Sequence, residues 1–169
     1  MKTLATVVLV SLTAVAFSAL SEGDAFFAKL AQAGMAEVAA GKLAENKGVS
    51  AEVREYGAMM AKDHGAAHQK LEKLAITKGV TLPATAGDEN LSAMKSLQSL
   101  EGVRFDQAYL ASQVKAHEEA VRLLKSEIAA SPDADTKAFA EQLLPTVESH
   151  LRAAHHLAGQ DDRAAALTK

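Results

Sequence analysis

The chain has 169 residues, a net charge of -3 and no cysteine. Its lysines and arginines form no cluster with interleaved aromatic residues, so the sequence predicts no nucleic-acid partner. Without cysteine there are no disulfides, no thiolate nucleophile and no thiolate-bound zinc or iron–sulfur cluster. Any metal ion must therefore be bound by histidine and carboxylate side chains.

The first residues have the pattern of a secretory signal peptide. Met1 and Lys2 precede an apolar run from Leu4 to Leu20, and small residues suggest cleavage after Ser18, with Ala19 as the alternative. An uncleaved membrane anchor is the other interpretation, but the run is short for a span of about 20 residues. No later segment is long and apolar enough to cross a membrane. We therefore expect residues 1–18 to direct export to the periplasm or the cell exterior.

The rest of the chain predicts an all-α fold in one domain over residues 24–159, with a flexible tail over 160–169. Turn signals separate four long helices, of which the first two are joined by a turn tight enough to make them antiparallel neighbours. Pro145 is expected to kink or break the last long helix. The expected architecture is an antiparallel four-helix bundle with a short extra helix between the second and third long helices. The predicted segments are residues 24–46, 50–78, 84–102 (holding the short helix), 103–130 and a last helix that follows 131–133.

Each long helix carries an apolar stripe at helical spacing with one polar, metal-capable residue near its middle. These four residues are Glu37, His64, His117 and His150. A carboxylate or imidazole facing other helices loses its water and needs a partner. Counted from the turns, each helix pair brings its two residues to within about 6 Å of the same height. The pattern predicts that the four side chains converge inside the protein.

Two interpretations of this convergence remain open. Three imidazoles and one carboxylate suit zinc, or less well copper or iron, as ligands of a divalent ion. Alternatively the four side chains form a buried hydrogen-bonded network that only fixes the register of the helices.

The sequence gives less support for metal binding by the other polar residues near these four. Asp63 and Glu118 lie about 100° round the helix from their histidine neighbours, so we expect them to be solvated or helix-boundary charges, with a supporting role behind the ligands as the alternative. His68 lies one turn after His64, where the two imidazoles could chelate a metal together, but we expect His68 to be half-exposed. His155 and His156 near the last helix end fit a favourable helix dipole better than a metal site. Asp106 is expected to tie the start of its helix to a neighbouring element.

Three segments in the same order resemble the bacterial family known as domain of unknown function 4142. They are residues 60–64 (MAKDH), residues 105–109 (FDQAY) with the following Val114 and His117, and Leu144-Pro145 followed by His150-Leu151. The resemblance covers residues 24–157. Members of that family are often labelled outer membrane proteins, and the resemblance implies a ferritin-like fold.

The resemblance to a ferritin-like fold does not predict iron oxidation for this chain. Di-iron proteins of that fold use Glu-x-x-His pairs, which this chain lacks. The sequence also has no nucleophile elbow and no phosphate-binding glycine loop. The sequence predicts a metal-binding protein that is non-enzymatic or weakly enzymatic, or else an envelope stress or scaffold protein with a structural polar core. An oxidase with a dinuclear metal centre is the least favoured alternative. No organic cofactor is expected, and the sequence names no protein partner.

Overall fold

The computed structural model describes residues 22–167, and every regular element in this range is an α-helix. The all-α prediction is confirmed for this part of the chain. The predicted signal peptide, residues 1–18, lies outside the described residues. The helices are α1 (Glu22–Lys47), α2 (Ala51–Lys78), α3 (Asp88–Gln98), α4 (Val103–Ala130) and α5 (Ala134–Leu167).

The bounds of α2 follow from its capping residues. Ser50 accepts a hydrogen bond from the Val53 backbone N–H at 3.1 Å, which is the contact that favours serine before a helix. At the other end Gly79 has a φ of 68°, a left-handed conformation that glycine adopts without strain. The predicted bounds of α2 and of α4 agree with the structure.

The last helix differs from the prediction in two ways. Of the two alternatives predicted at Pro145, the break is wrong, because α5 is continuous through that residue, and the kink stays a prediction. Pro145 is exposed, so its ring lies on the solvent side while Val147 and His150 on the other side remain packed. The helix also continues to Leu167, past the end at Gly159 that the sequence predicts, and the flexibility of the tail stays a prediction.

The long helices pack as two pairs, α1 with α2 and α4 with α5. The pairs meet where α1 contacts α4 and where α2 contacts α5, and the short α3 lies against α1 and α4. The buried carboxylate of Asp106 ties the pairs together at one end. It accepts hydrogen bonds from the backbone N–H groups of Val49, at 3.0 Å, and Ser50, at 2.9 Å. The expected role of Asp106 as a tie between elements is confirmed.

The apolar core consists of two clusters that occupy different lengths of the helices. One contains Tyr56, Phe105 and Tyr109, and the other contains Phe27, Leu71 and Leu124. Each long helix carries at least one polar residue that lies in sequence between the two clusters, and these include Glu37, His64, His117 and His150. The core is therefore interrupted by a polar layer.

Candidate metal centre

Three histidines from three helices converge in the polar layer. His64 of α2, His117 of α4 and His150 of α5 each offer one ring nitrogen, and these nitrogens lie within 4.8 Å of one another. His117 and His150 are buried, with 1% and 3% of their surface exposed, and His64 is half-buried. Two buried imidazoles and one half-buried imidazole at this spacing can hold a metal ion.

The hydrogen bonds of His117 determine which of its nitrogens is free to bind. Its Nδ1 lies 2.9 Å from the backbone carbonyl of Gln113. A carbonyl oxygen only accepts, so Nδ1 carries the hydrogen and Nε2 keeps its lone pair. That Nε2 lies 3.3 Å from the Nε2 of His64. Without an ion, His64 donates a hydrogen bond here, whereas with an ion both nitrogens act as ligands.

The spacing of these two nitrogens fits a tetrahedral ion. Zinc–nitrogen bonds of about 2.1 Å at tetrahedral angles place neighbouring nitrogens about 3.4 Å apart. The observed separation of 3.3 Å between His64 and His117 is close to this value. These two ligands therefore need little movement to bind an ion.

Asp63 orients the third histidine. Its Oδ2 lies 3.1 Å from Nε2 of His150, while Nδ1 of His150 is buried without a hydrogen-bond partner. A carboxylate that accepts from one ring nitrogen leaves the lone pair on the other nitrogen, the arrangement common behind metal-bound histidines. The hydroxyl of Tyr56 also donates to the backbone carbonyl of His150 at 3.2 Å. Asp63 is thus a partner of the cluster and not merely a solvated charge.

Burial keeps the three imidazoles neutral. Loss of water, reinforced by the neighbouring histidines, lowers the pKa of His64 from 6.5 to about 3 and that of His117 to about 4. Burial also lowers the pKa of His150, although Asp63 opposes the shift. Neutral imidazole is the form that binds metals, so at neutral pH no proton has to leave before an ion binds.

Glu37 lies beside the histidine cluster and is not part of it. Its ligand atoms fall outside the group that lies within 4.8 Å, although its side chain lines a cavity together with His64 and His117. Burial raises the pKa of Glu37 from 4.5 to about 7, and a hydrogen bond from the Gln113 side chain opposes the shift. Its Oε2 has no hydrogen-bond partner. Ligation by Glu37 stays a prediction.

The cavity between the long helices has a volume of about 40 Å³. Its wall is mostly apolar, and its polar groups come from Glu37, His64, His68 and His117. The cavity therefore joins the histidine cluster to Glu37.

The remaining candidates lie apart from the cluster. His68 contacts Glu72 at 3.5 Å, and Glu118 faces Arg122 and His155 at 4.0 and 3.9 Å. His155 and His156 are exposed on α5. None of these four belongs to the group of converging ligand atoms found among the described residues.

Sequence reasoning missed Gln113, which is 1% exposed and touches the site twice. Its carbonyl binds His117 and its side chain binds Glu37, while Oε1 of its amide has no partner. Val114, which the sequence resemblance names together with His117, is only half-buried. Gln113 lies four residues before His117 and therefore on the same helix face, and this spacing could have identified it as a candidate from the sequence.

Comparison with known proteins bears on the fold and the family of the chain. A structure described as a DUF305 fragment from Deinococcus radiodurans resembles the chain with a TM-score of 0.67 and 16% identity, covering 83% of this chain and 97% of that one. At this identity the likeness concerns the fold alone. No curated protein matches the chain. Among the helices of residues 22–167, none combines the length and apolar character needed to cross a membrane.

The sequence itself gives the more specific match. Residues 11–157 match the family described as domain of unknown function (DUF4142). This match covers most of the chain and confirms the resemblance seen in its motifs. The chain belongs to the DUF4142 family.

Proposed function

We propose that the protein binds one divalent metal ion through His64, His117 and His150, inside a ferritin-like four-helix bundle formed by α1, α2, α4 and α5. The observation that carries this proposal is the convergence of three ring nitrogens from three helices within 4.8 Å. Their burial and lowered pKa values favour neutral, ligand-ready imidazoles. Asp63 accepts a hydrogen bond from the ring of His150, and the Gln113 carbonyl accepts one from the ring of His117. In each ring the other nitrogen keeps its lone pair for the ion.

The donor set favours zinc or copper over a di-iron centre. Imidazole binds zinc and copper well, whereas di-iron sites of the ferritin-like fold depend on several carboxylates. Here the one buried carboxylate near the histidines is Glu37, which lies outside the converging group of the described residues. Glu37 is the candidate for a fourth ligand, and a movement of its side chain into the group would complete a closed tetrahedral site.

We also propose that the protein is exported and that its signal peptide ends at Ser18. The charged start and apolar run of the first residues support this. The mass of the protein recovered from the periplasm tests it, because cleavage after Ser18 leaves Ala19 as the first residue. A full-length mass or a cytoplasmic location would contradict it.

The metal content of the purified protein tests the main proposal. Wild type, His64→Ala and His117→Ala are purified without chelator and their zinc and copper are measured by mass spectrometry. We expect close to one ion per wild-type chain and loss of that ion in both variants. His156→Ala, which removes an exposed histidine from α5, is the matched control and should keep the ion.

A second candidate function is supported by the hydrogen bonds of the site. His64 pairs with His117, and His150 pairs with Asp63. In this case the polar layer only sets the register of the helices, and the protein acts as an envelope or scaffold protein. Metal-free wild type, with a melting temperature that neither zinc nor a chelator changes, would favour this function and contradict the first.

A further inference from the structure

The cavity beside the histidines has room for a small molecule. A buried water needs about 10 to 15 Å³ of such volume, so about 40 Å³ accommodates roughly three waters or a linear molecule with three heavy atoms. The cavity thus has room for a molecule of the size of azide.

The position of the cavity places its occupant next to the proposed metal ion. His64 and His117 line the cavity, whereas His150 does not. An ion held by all three histidines therefore has this cavity as its neighbouring free space. Three protein ligands leave one position of a tetrahedral ion for an outside ligand, as in catalytic zinc sites.

Two further polar side chains on the cavity wall have unsatisfied atoms. Oε2 of Glu37 and Nδ1 of His68 are buried and have no hydrogen-bond partner. Glu37 is 7% exposed, so little bulk water reaches it. A carboxyl group and an imidazole can each donate or accept a hydrogen bond, and a polar molecule in the cavity would supply the missing partner.

We infer that the cavity binds a small coordinating ligand, of the size and chemistry of hydroxide or azide, on the open position of the metal ion. The inference rests on the proposed function, since the ion supplies the main attraction. It assigns Glu37 and His68 to the ligand as hydrogen-bond partners. It also makes the centre open, in contrast to a closed site with Glu37 as fourth ligand.

Gly34 offers a way to fill the cavity without altering the histidines. Gly34 lines the cavity on α1, and an added Cβ would meet only Nδ1 of His68, at an ordinary contact distance of 3.6 Å. Gly65 on α2 is the matched control. Its Cβ would meet only Val38, at 4.0 Å, and it does not line the cavity.

The experiment titrates the copper(II)-loaded protein with azide and follows the charge-transfer absorption of the copper–azide complex. We expect saturable binding of azide to the wild type. Gly34→Leu should weaken azide binding by about tenfold or more while copper affinity stays unchanged, and Gly65→Leu should bind azide like the wild type. Circular dichroism checks the fold. Should Gly34→Leu fail to fold, Gly34→Ala against Gly65→Ala repeats the comparison with a smaller expected loss.

The possible outcomes separate the two proposals. Copper-loaded protein without a response to azide would overturn the open position and leave metal binding intact. Equal azide affinity in the two leucine variants would overturn the cavity as the binding place. Absence of both copper and zinc binding in the wild type would instead overturn the proposed function, and the inference with it.

Discussion

Glycine occurs twice on the inner stripe of α1, at Gly34 and Gly41, and the two positions have different surroundings. A Cβ on Gly41 would lie 2.6 Å from the carbonyl oxygen of Gly57 and 2.7 Å from the backbone nitrogen of Ala61. A Cβ on Gly34 would lie 3.6 Å from a single atom, Nδ1 of His68. The first glycine allows two backbones to touch, and the second leaves space beside a polar site.

The partner helix shows the same contrast. A Cβ on Gly57 would meet the backbone of α1 at 2.7 and 2.8 Å, whereas a Cβ on Gly65 would meet only Val38 at 4.0 Å. Each glycine inside a helix costs about 1 kcal/mol relative to alanine. Close packing between α1 and α2 offsets this cost at Gly41 and Gly57. At Gly34, beside the cavity, no close packing offsets the cost.

The largest effect is expected where the backbones touch. Gly57→Ala should destabilise the protein by about 3 kcal/mol or more, since its methyl group collides with backbone atoms that cannot move without separating α1 from α2. Urea unfolding followed by circular dichroism measures the change. Gly65→Ala is the matched control and should be no less stable than the wild type. Equal stabilities for the two variants would contradict the comparison.

The close-packed end also depends on Asp106. Asp106→Ala should destabilise the protein by about 2 to 3 kcal/mol, because the backbone N–H groups of Val49 and Ser50 lose their acceptor. Asp106→Asn keeps one acceptor oxygen and should lose less. The same unfolding measurement compares the three proteins. An alanine variant as stable as the asparagine variant would show that water replaces the carboxylate without cost.

Much of this architecture follows from local signals in the sequence. Ser50, Gly79 and the apolar spacing along α2 and α4 are sufficient to place both helices, because capping and amphipathicity act within a few residues. The convergence of His64, His117 and His150 also follows from spacing, since each lies on an inward-facing stripe. Steps of three and four residues fix the face of a helix without knowledge of its partner.

The parts that could not be predicted depend on distances between helices. Whether Glu37 joins the histidines or lies beside them is a matter of a few ångströms in the packing of α1. The contact of Gln113 with the site was not predicted for the same reason, because spacing alone does not show whether Gln113 or Val114 faces the other helices. At Pro145 the predicted break does not occur, and α5 continues through an exposed proline while its inner face is packed.

In the polar layer, the expected effect is a dependence of stability on pH that Glu37 controls. Burial raises its pKa from 4.5 to about 7, so the folded protein binds this proton more tightly than the unfolded chain. The resulting stabilisation is fully present below pH 4.5 and is lost as the pH rises to about 7. Glu37→Gln has the same shape and no titration. We expect the stability of wild type relative to this variant to fall by about 3 kcal/mol across that range.

The difference between the two proteins isolates Glu37 from the histidines. His64 and His117 have lowered pKa values, so their contribution is lost in the opposite direction, as the pH falls from 6.5 towards about 3 to 4. Both proteins contain these histidines, and their contribution cancels in the difference. Unfolding in urea with a chelator present, at several pH values, provides the measurement. A difference that does not change with pH would show that Glu37 ionises as easily in the folded protein as in the unfolded chain.

The smallest expected effect has the opposite sign and tests the other half of the comparison. Gly34→Ala should stabilise the metal-free protein by about 1 kcal/mol, because alanine restricts the unfolded chain and its methyl group fits beside His68 without displacement. Urea unfolding in the presence of a chelator measures the gain, with Gly65→Ala as the reference for an equivalent change outside the cavity. Similar gains in both variants would mean that the polar layer tolerates a methyl group, so the space beside the histidines is not needed for folding. A loss of stability in Gly34→Ala but not in Gly65→Ala would mean that the His68 side chain cannot move aside for the methyl group. The fold itself would then require glycine at position 34.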